Sequence, residues 1–165
     1  MFDEHLKAFI ESGCSIIVGV VGEDGEPQAR RGWGIDVVDA GAGRVRLLLD
    51  AAGGDPHGPG AVPWVGVRLA MTGADIHTLY SVQAKGEVLG AGPLTETDDA
   101  RLEAFCTAMF TRIHEVDGYP IELLVRMRPN ELVALDVAVD ELFDQTPGPN
   151  AGTPIVAPGG AAVDR

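Results

Sequence analysis

Apolar positions in this chain recur first at helical spacing and then at a spacing of two. Phe2, Leu6, Phe9 and Ile10 step along one helix face, so residues 2–12 predict a short amphipathic helix ending near Ser12-Gly13, placed to plug one end of a core. Cys14 to Val21 reads as an Ile- and Val-rich strand, broken at Gly22-Glu23-Asp24-Gly25-Glu26, where Asp-Gly supplies the positive φ of a tight hairpin. From about Gln28 to Val38 a second strand alternates, with Arg31, Trp33, Ile35 and Val37 on one face and Arg30, Gly32, Gly34 and Asp36 on the other. Glycines inside a strand mark a bulge, a bend or a close approach. After the Asp39 to Gly43 turn, Arg44 to Asp50 forms a third strand and completes an antiparallel meander.

Residues 51–63 are too rich in Gly and Pro for a regular element and read as a rim loop. Val67 to Ala74 predicts a fourth strand and Tyr80 to Leu89 a fifth, whose Ser81, Gln83, Lys85 and Glu87 form a polar stripe facing water or a ligand. Thr95-Glu96-Thr97-Asp98 is a capping box, and behind it Leu102, Phe105, Cys106, Met109, Phe110 and Ile113 make the buried stripe of a helix over about 96–116. Gly118 ends that helix, Pro120 opens a short one through about Val125, and Leu132 to Val139 is a sixth strand. The pattern is mainly β with helices: one domain over residues 1–146, then a Pro-, Gly- and Ala-rich arm over 147–165 that cannot order itself alone.

The charge balance narrows the function. With 25 acids against 12 bases and a net charge of -13, the chain repels a phosphate backbone, so nucleic-acid binding is not expected. The bases Arg30, Arg31, Arg44, Arg46, Arg68 and Lys85 nevertheless cluster in the β-rich middle, where a local pocket can hold an anion. The first residues lack the basic start and apolar run of a signal peptide, and the apolar stretch from Ser15 to Val21 is far below the ~20 residues of a membrane span. A soluble, cytoplasmic protein is expected, with Cys14 and Cys106 as reduced core residues.

Little in the sequence points to a specific reaction. His5, His57, His77 and His114 show no metal-ligand spacing, so no metal site is expected, although His57 and His77 flank the fourth strand in loops. No nucleophile elbow, P-loop or dinucleotide turn is present, and no catalytic residue stands out. Of the two tryptophans, Trp33 reads as core or contact, and Trp64, after the Pro-rich loop, can stack on a planar ring or anchor an interface.

The element order, together with Tyr80-Ser81-Val82-Gln83-Ala84-Lys85-Gly86 and Phe143-Asp144-Gln145-Thr146-Pro147-Gly148-Pro149, resembles the pyridoxamine 5′-phosphate oxidase-like superfamily over roughly residues 8–150. That resemblance implies a six-stranded antiparallel split β-barrel, a homodimer, and FMN in a groove at the subunit interface. It further implies an oxidoreductase acting on a small organic substrate, with Arg30, Arg31, Ser81, Gln83 and Lys85 around the cofactor, to which Trp64 is added as a cofactor-binding candidate by its own position after the Pro-rich loop. Family members that hold FMN firmly carry Ser or Thr followed by Arg-Lys or Lys after the third strand. Here Asp50 to His57 contains no cation and two acids, leaving Arg30, Arg31 or Arg68 to grip a phosphate. The alternatives are a barrel that binds haem, a deazaflavin or another small molecule, and a non-catalytic dimeric binding module whose arm docks on its partner.

Overall fold

Apolar and polar residues alternate along most strands, so each strand offers one face to a common interior. The computed structural model describes residues 1–22, 24–51 and 64–156. In chain order the elements are α1 (Glu4–Ile10), β1 (Ser15–Val21), β2 (Pro27–Asp39), β3 (Arg44–Asp50), β4 (Arg68–Ala74), β5 (Ser81–Gly92), α2 (Glu96–Asp117), α3 (Ile121–Leu124), β6 (Leu132–Asp144) and β7 (Thr153–Val156). The sheet runs β3-β2-β1-β4-β5-β6-β7, and a further pairing of β3 with β6 closes the first six strands into an antiparallel barrel. The expected six-stranded barrel is therefore present, with one added strand. The interior is solid: Ile16, Val18, Leu47, Leu49, Met71, Ala84, Leu135 and Leu142 are all essentially inaccessible.

α1 begins two residues later than the periodicity predicts, because Asp3 accepts from Leu6 N–H at 2.8 Å and caps the helix there. Leu6 and Ile10 are its buried face, and it is tied to β2 by Glu11 Oε1 accepting from Val37 N–H at 2.8 Å. Residues 52–63 of the expected rim loop, His57 among them, and residues 157–165 of the arm lie outside the described residues. Within the arm, Thr153–Val156 pairs with the end of β6, where β3 no longer does. No helix is long and apolar enough to cross a membrane among the described residues.

The β2 faces differ from the simple alternation. Gly32 stands opposite Leu49 and Ile35 opposite Leu47, so Trp33 and Gly34 together oppose Leu48. Gly34 adopts φ +144, open to glycine and strained for other residues, and this β-bulge inverts the phase. Before it, Arg30 and Gly32 face inward opposite Val18 and Ile16, while Arg31 faces out. After it, Ile35 and Val37 face inward. The expected grouping of Arg31 with Ile35 and Val37 is thus corrected. A strict period of two cannot survive an inserted residue.

Leu48 and Ala134 face outward yet are buried, because α2 covers this side. The absent side chain of Gly34 lets α2 in: a Cβ there would lie 3.3 Å from Arg101 Cγ and 3.7 Å from Phe105 Cβ. The capping box forms as the sequence predicts, with Thr95 and Asp98 bonding reciprocally. Asp98 also receives Arg46 from β3, Nε at 3.0 Å and Nη2 at 2.8 Å, while Arg46 Nη1 reaches Asp136 of β6 at 3.0 Å. One arginine therefore fastens the start of α2 to two barrel strands. A second tether joins Arg101 to Asp36.

The Lys-Gly step of β5 also has a structural cause. β6 bulges at Asp140, between the pairs Lys85 with Glu141 and Gly86 with Val139, and bends in so closely that a Cβ at Gly86 would lie 2.3 Å from Ala138 O. We expect Gly86→Ala to cost about 3 kcal/mol in a denaturant titration, since backbone on both sides must move.

The Arg46 bond, with help from Thr95 and against the opposing effect of burial, holds the Asp98 carboxyl near 2, below its ordinary 3.8. A carboxylate depressed in the folded state adds stability that is complete above the unfolded value and is lost as pH falls through the folded one. Replacing Asp98 by Asn should cost about 2 kcal/mol near neutrality and flatten the stability loss between pH 3.8 and about 2, read by urea unfolding across that range.

Candidate functional site

Strand register sets which side chains meet on the outer surface of β2, β1, β4, β5 and β6. One row across the strands reads Arg31, Ile17, Thr72, Gln83, Phe143, and the next reads Ala29, Gly19, Ala70, Lys85, Glu141. Beyond it lie Pro27 with Val21, and Arg68 with Glu87. The middle row has almost no side chains over three strands, so its neighbours rise as walls around a shallow trough. The trough encloses about 490 Å³ and includes Gly19, Val21, Ala70, Arg68, Lys85 and Glu141 in its lining.

The polar groups on its border are fixed in different ways. Gln83 Nε2 donates to Thr72 Oγ1 at 3.1 Å, which turns Gln83 Oε1 and the Thr72 hydroxyl proton toward other partners. Lys85 Nζ sits 4.5 Å from the Phe143 ring centroid, a cation–π contact, and has no carboxylate partner among the described residues. Arg68 is committed: it binds both carboxylate oxygens of Asp140 at 2.6 and 2.8 Å and Glu141 at 2.9 Å. Those bonds hold the Asp140 carboxyl below its ordinary range.

The six residues singled out from the sequence separate. Lys85 lines the trough, and Gln83 stands in the next row of the same sheet face, paired with Thr72. Ser81 is 7% exposed and closes a corner instead: its hydroxyl donates to Leu79 O at 2.8 Å and its N–H donates to Thr146 Oγ1 at 3.1 Å. Arg31 faces α2, with Nη1 3.9 Å from Met109 Sδ and its Cζ 5.9 Å from the Trp33 ring centroid. Arg30 points to the opposite side, where Nη2 donates to Gln28 Oε1 at 3.0 Å and its Cζ lies 5.5 Å from the Trp64 ring centroid. Arg30 and Trp64 are thus brought together, but not with Gln83 and Lys85. Arg30 Nε and Trp33 Nε1 are buried without a hydrogen-bond partner among the described residues.

Sequence reasoning missed Gly19, Ala29, Ala70 and Thr72. Their small outward side chains become a signal only once β1 is known to pair with β4, a neighbour distant in sequence. His77 is exposed, with Nε2 3.7 Å from Glu115 Oε2, away from the trough. Burial pushes the Cys14 thiol up to about 12 and raises Cys106, so neither is a ready nucleophile. No cluster of metal-ligating residues occurs among the described residues.

No family model matches the sequence, and no curated protein matches it. Among solved structures the chain is similar to HupZ of Group A Streptococcus, at 14% identity and TM-score 0.48, covering 92% of this chain and 100% of that one. It is also similar to an F420 reductase, at 15% identity and TM-score 0.49, covering 86% of this chain and 98% of that one. A third similarity is to a pyridoxamine 5′-phosphate oxidase-related, FMN-binding protein of Nostoc punctiforme, at 10% identity and TM-score 0.40, covering 84% and 77%.

Arg30 and Arg46 make opposite predictions. Arg30 has no carboxylate partner among the described residues, so Arg30→Met should leave stability unchanged or raise it by about 1 kcal/mol. Arg46→Met strands buried Asp98 and should cost about 3 kcal/mol. Denaturant midpoints of the two variants decide the matter.

Proposed function

We propose that the trough binds a planar heteroaromatic redox cofactor of the flavin type and that the chain is an oxidoreductase acting on a small organic substrate. One observation carries this reading: a floor of Gly19, Ala29 and Ala70, free of protruding side chains, beside Gln83, Thr72 and Lys85. A flat floor accepts the face of a ring, and the border supplies an acceptor, a hydroxyl donor and a cation for a ring edge that carries carbonyl and N–H groups. When bound, such a cofactor supplies the hydride or electron chemistry. The chain holds the ring, orients its polar edge and sets the local charge.

The fit differs between the parts of the cofactor. The ring matches the trough, whereas a dianionic phosphate needs several cations or fixed N–H donors. Arg68 is occupied by two acids, Arg46 by Asp98 and Asp136, and Arg101 by Asp36. Lys85 is the cation at the trough without a carboxylate partner among the described residues. Ring contacts therefore supply most of the expected affinity, a balance that suits a flavin or a deazaflavin equally.

The test is an absorbance spectrum of the purified protein followed by titration with FMN and with riboflavin. Binding of both is expected, with constants within about tenfold of each other, or about 1.4 kcal/mol. Gln83→Ala and Lys85→Ala should each weaken binding about tenfold without changing the melting temperature. A colourless wild-type protein that takes up neither flavin nor a deazaflavin removes the proposal.

A further inference from the structure

Six of the twelve large apolar side chains exposed among the described residues fall between Val116 and Met127, where α2 ends and α3 and a short 3-10 turn, Val125–Met127, follow. Such a concentration marks an interaction surface. Ile121 and Val125, four residues apart, line a cleft whose other wall is α2, with buried Cys106 and Phe110 along it. The cleft holds about 230 Å³ and stays open because α2 presents the short Thr107 and Thr111 there. An apolar cavity of ~150 Å³ takes up a benzene, so there is room here for one large apolar side chain. Leu123 and Met127, 49% and 44% exposed, extend the apolar surface along the same segment.

The charge around these residues is acidic. Glu115, Asp117 and Glu122 stand exposed among the six apolar side chains, against the single base Arg126. The next base, Arg128, is taken by Glu103 at 2.5 Å. The C-terminal end of α2, at Asp117, adds the negative end of the helix dipole. We propose that this face docks an amphipathic helix of a partner protein, apolar on one side and rich in Lys or Arg on the other, with one large apolar side chain seated in the α2–α3 cleft. The anchor leaves water while the acids at the rim receive the partner's cations, which steers the encounter and fixes its register. Other occupants fit less well. A second copy of this chain would set the same acids against each other, and a net charge of -13 repels anionic lipid headgroups. The contact uses α2 and α3, not the β1–β4–β5 trough, and does not rest on what the trough binds.

The test is to titrate the full chain into a labelled model helix of about 18 residues, built from Leu and Lys with Leu along one face, and to follow fluorescence anisotropy. Binding should be at least about tenfold tighter than to a scrambled Leu-Lys peptide of the same charge or to a Leu-Glu helix of the same pattern, and should weaken with added salt. Leu123→Ser, which removes an exposed apolar contact, and Thr111→Phe, which fills the cleft, should each weaken it at least about tenfold while thermal melts stay cooperative. Asp117→Asn combined with Glu122→Gln should weaken it and flatten its salt dependence. Should Leu123→Ser fail to fold, Thr111→Phe decides alone. No saturable binding at about 100 µM, or equal binding of the scrambled peptide, overturns the proposal. So does binding that persists in both helix variants, whether or not Val21→Ser in the trough abolishes it. Co-sedimentation of the wild-type chain with phosphatidylcholine vesicles, lost in Leu123→Ser, would put a lipid surface in the partner's place and overturn it too.

Discussion

The bulge at Trp33 and Gly34 is the constraint on which the rest of the molecule depends. By setting two residues of β2 against Leu48 of β3, it reverses which side of the strand faces inward. That reversal puts Ile35 and Val37 into the core although Arg31, which strict alternation would group with them, faces out. The absent Cβ at Gly34 also brings α2 against the sheet, near enough for Arg101 to reach Asp36 and for Phe105 to meet Trp33 edge-on with centroids 6.4 Å apart. A residue with a side chain at position 34 would be strained at φ +144, and its Cβ would crowd the Arg101 side chain at 3.3 Å.

Acidic excess then decides which cations remain available. Arg46, Arg68, Arg101 and Arg128 each spend their charge on one or two carboxylates, holding elements together. The pairs are not equal in worth. Arg68 and Asp140 are about half exposed and screened, whereas Asp98 is nearly sealed from water and depends on its arginine. Lys85 is different because the partner beside its ammonium is the face of Phe143, which leaves it able to meet an anionic or carbonyl group arriving in the trough.

The strands, the Asp-Gly hairpin, both ends of α2 and the barrel class were legible in the sequence because each rests on local chemistry: alternation, a turn glycine, a capping box, a C-terminal glycine. The bulges at Gly34 and Asp140 were not, since an inserted residue looks like ordinary alternation until the partner strand is known. For the same reason β6 runs five residues past its predicted end, and the Pro-rich arm, unable to order alone, gains a short strand by pairing with it. At the site, Gln83 and Lys85 were readable from the polar stripe on β5. Ser81 belongs to the same stripe, but the Leu79 carbonyl claims its hydroxyl, a contact made by a residue at φ +62 that no pattern forecasts.

Barrel closure also determines where binding can occur. Six strands make a cylinder narrower than the eight-stranded barrels whose interiors are just filled by side chains, and here inward-facing Leu47, Leu49, Leu135 and Leu142 are fully buried. With the closing pair of β3 and β6 in place, six strands also offer few free edges for a partner to extend. The proposed ligand therefore lies on an outer face, and α2 already covers the face formed around β2 and β3. Among the described residues, the side that α2 leaves open is the one where Gly19, Ala29 and Ala70 keep the surface low, so the same closure that makes the core solid puts the proposed binding face on the outside of the wall.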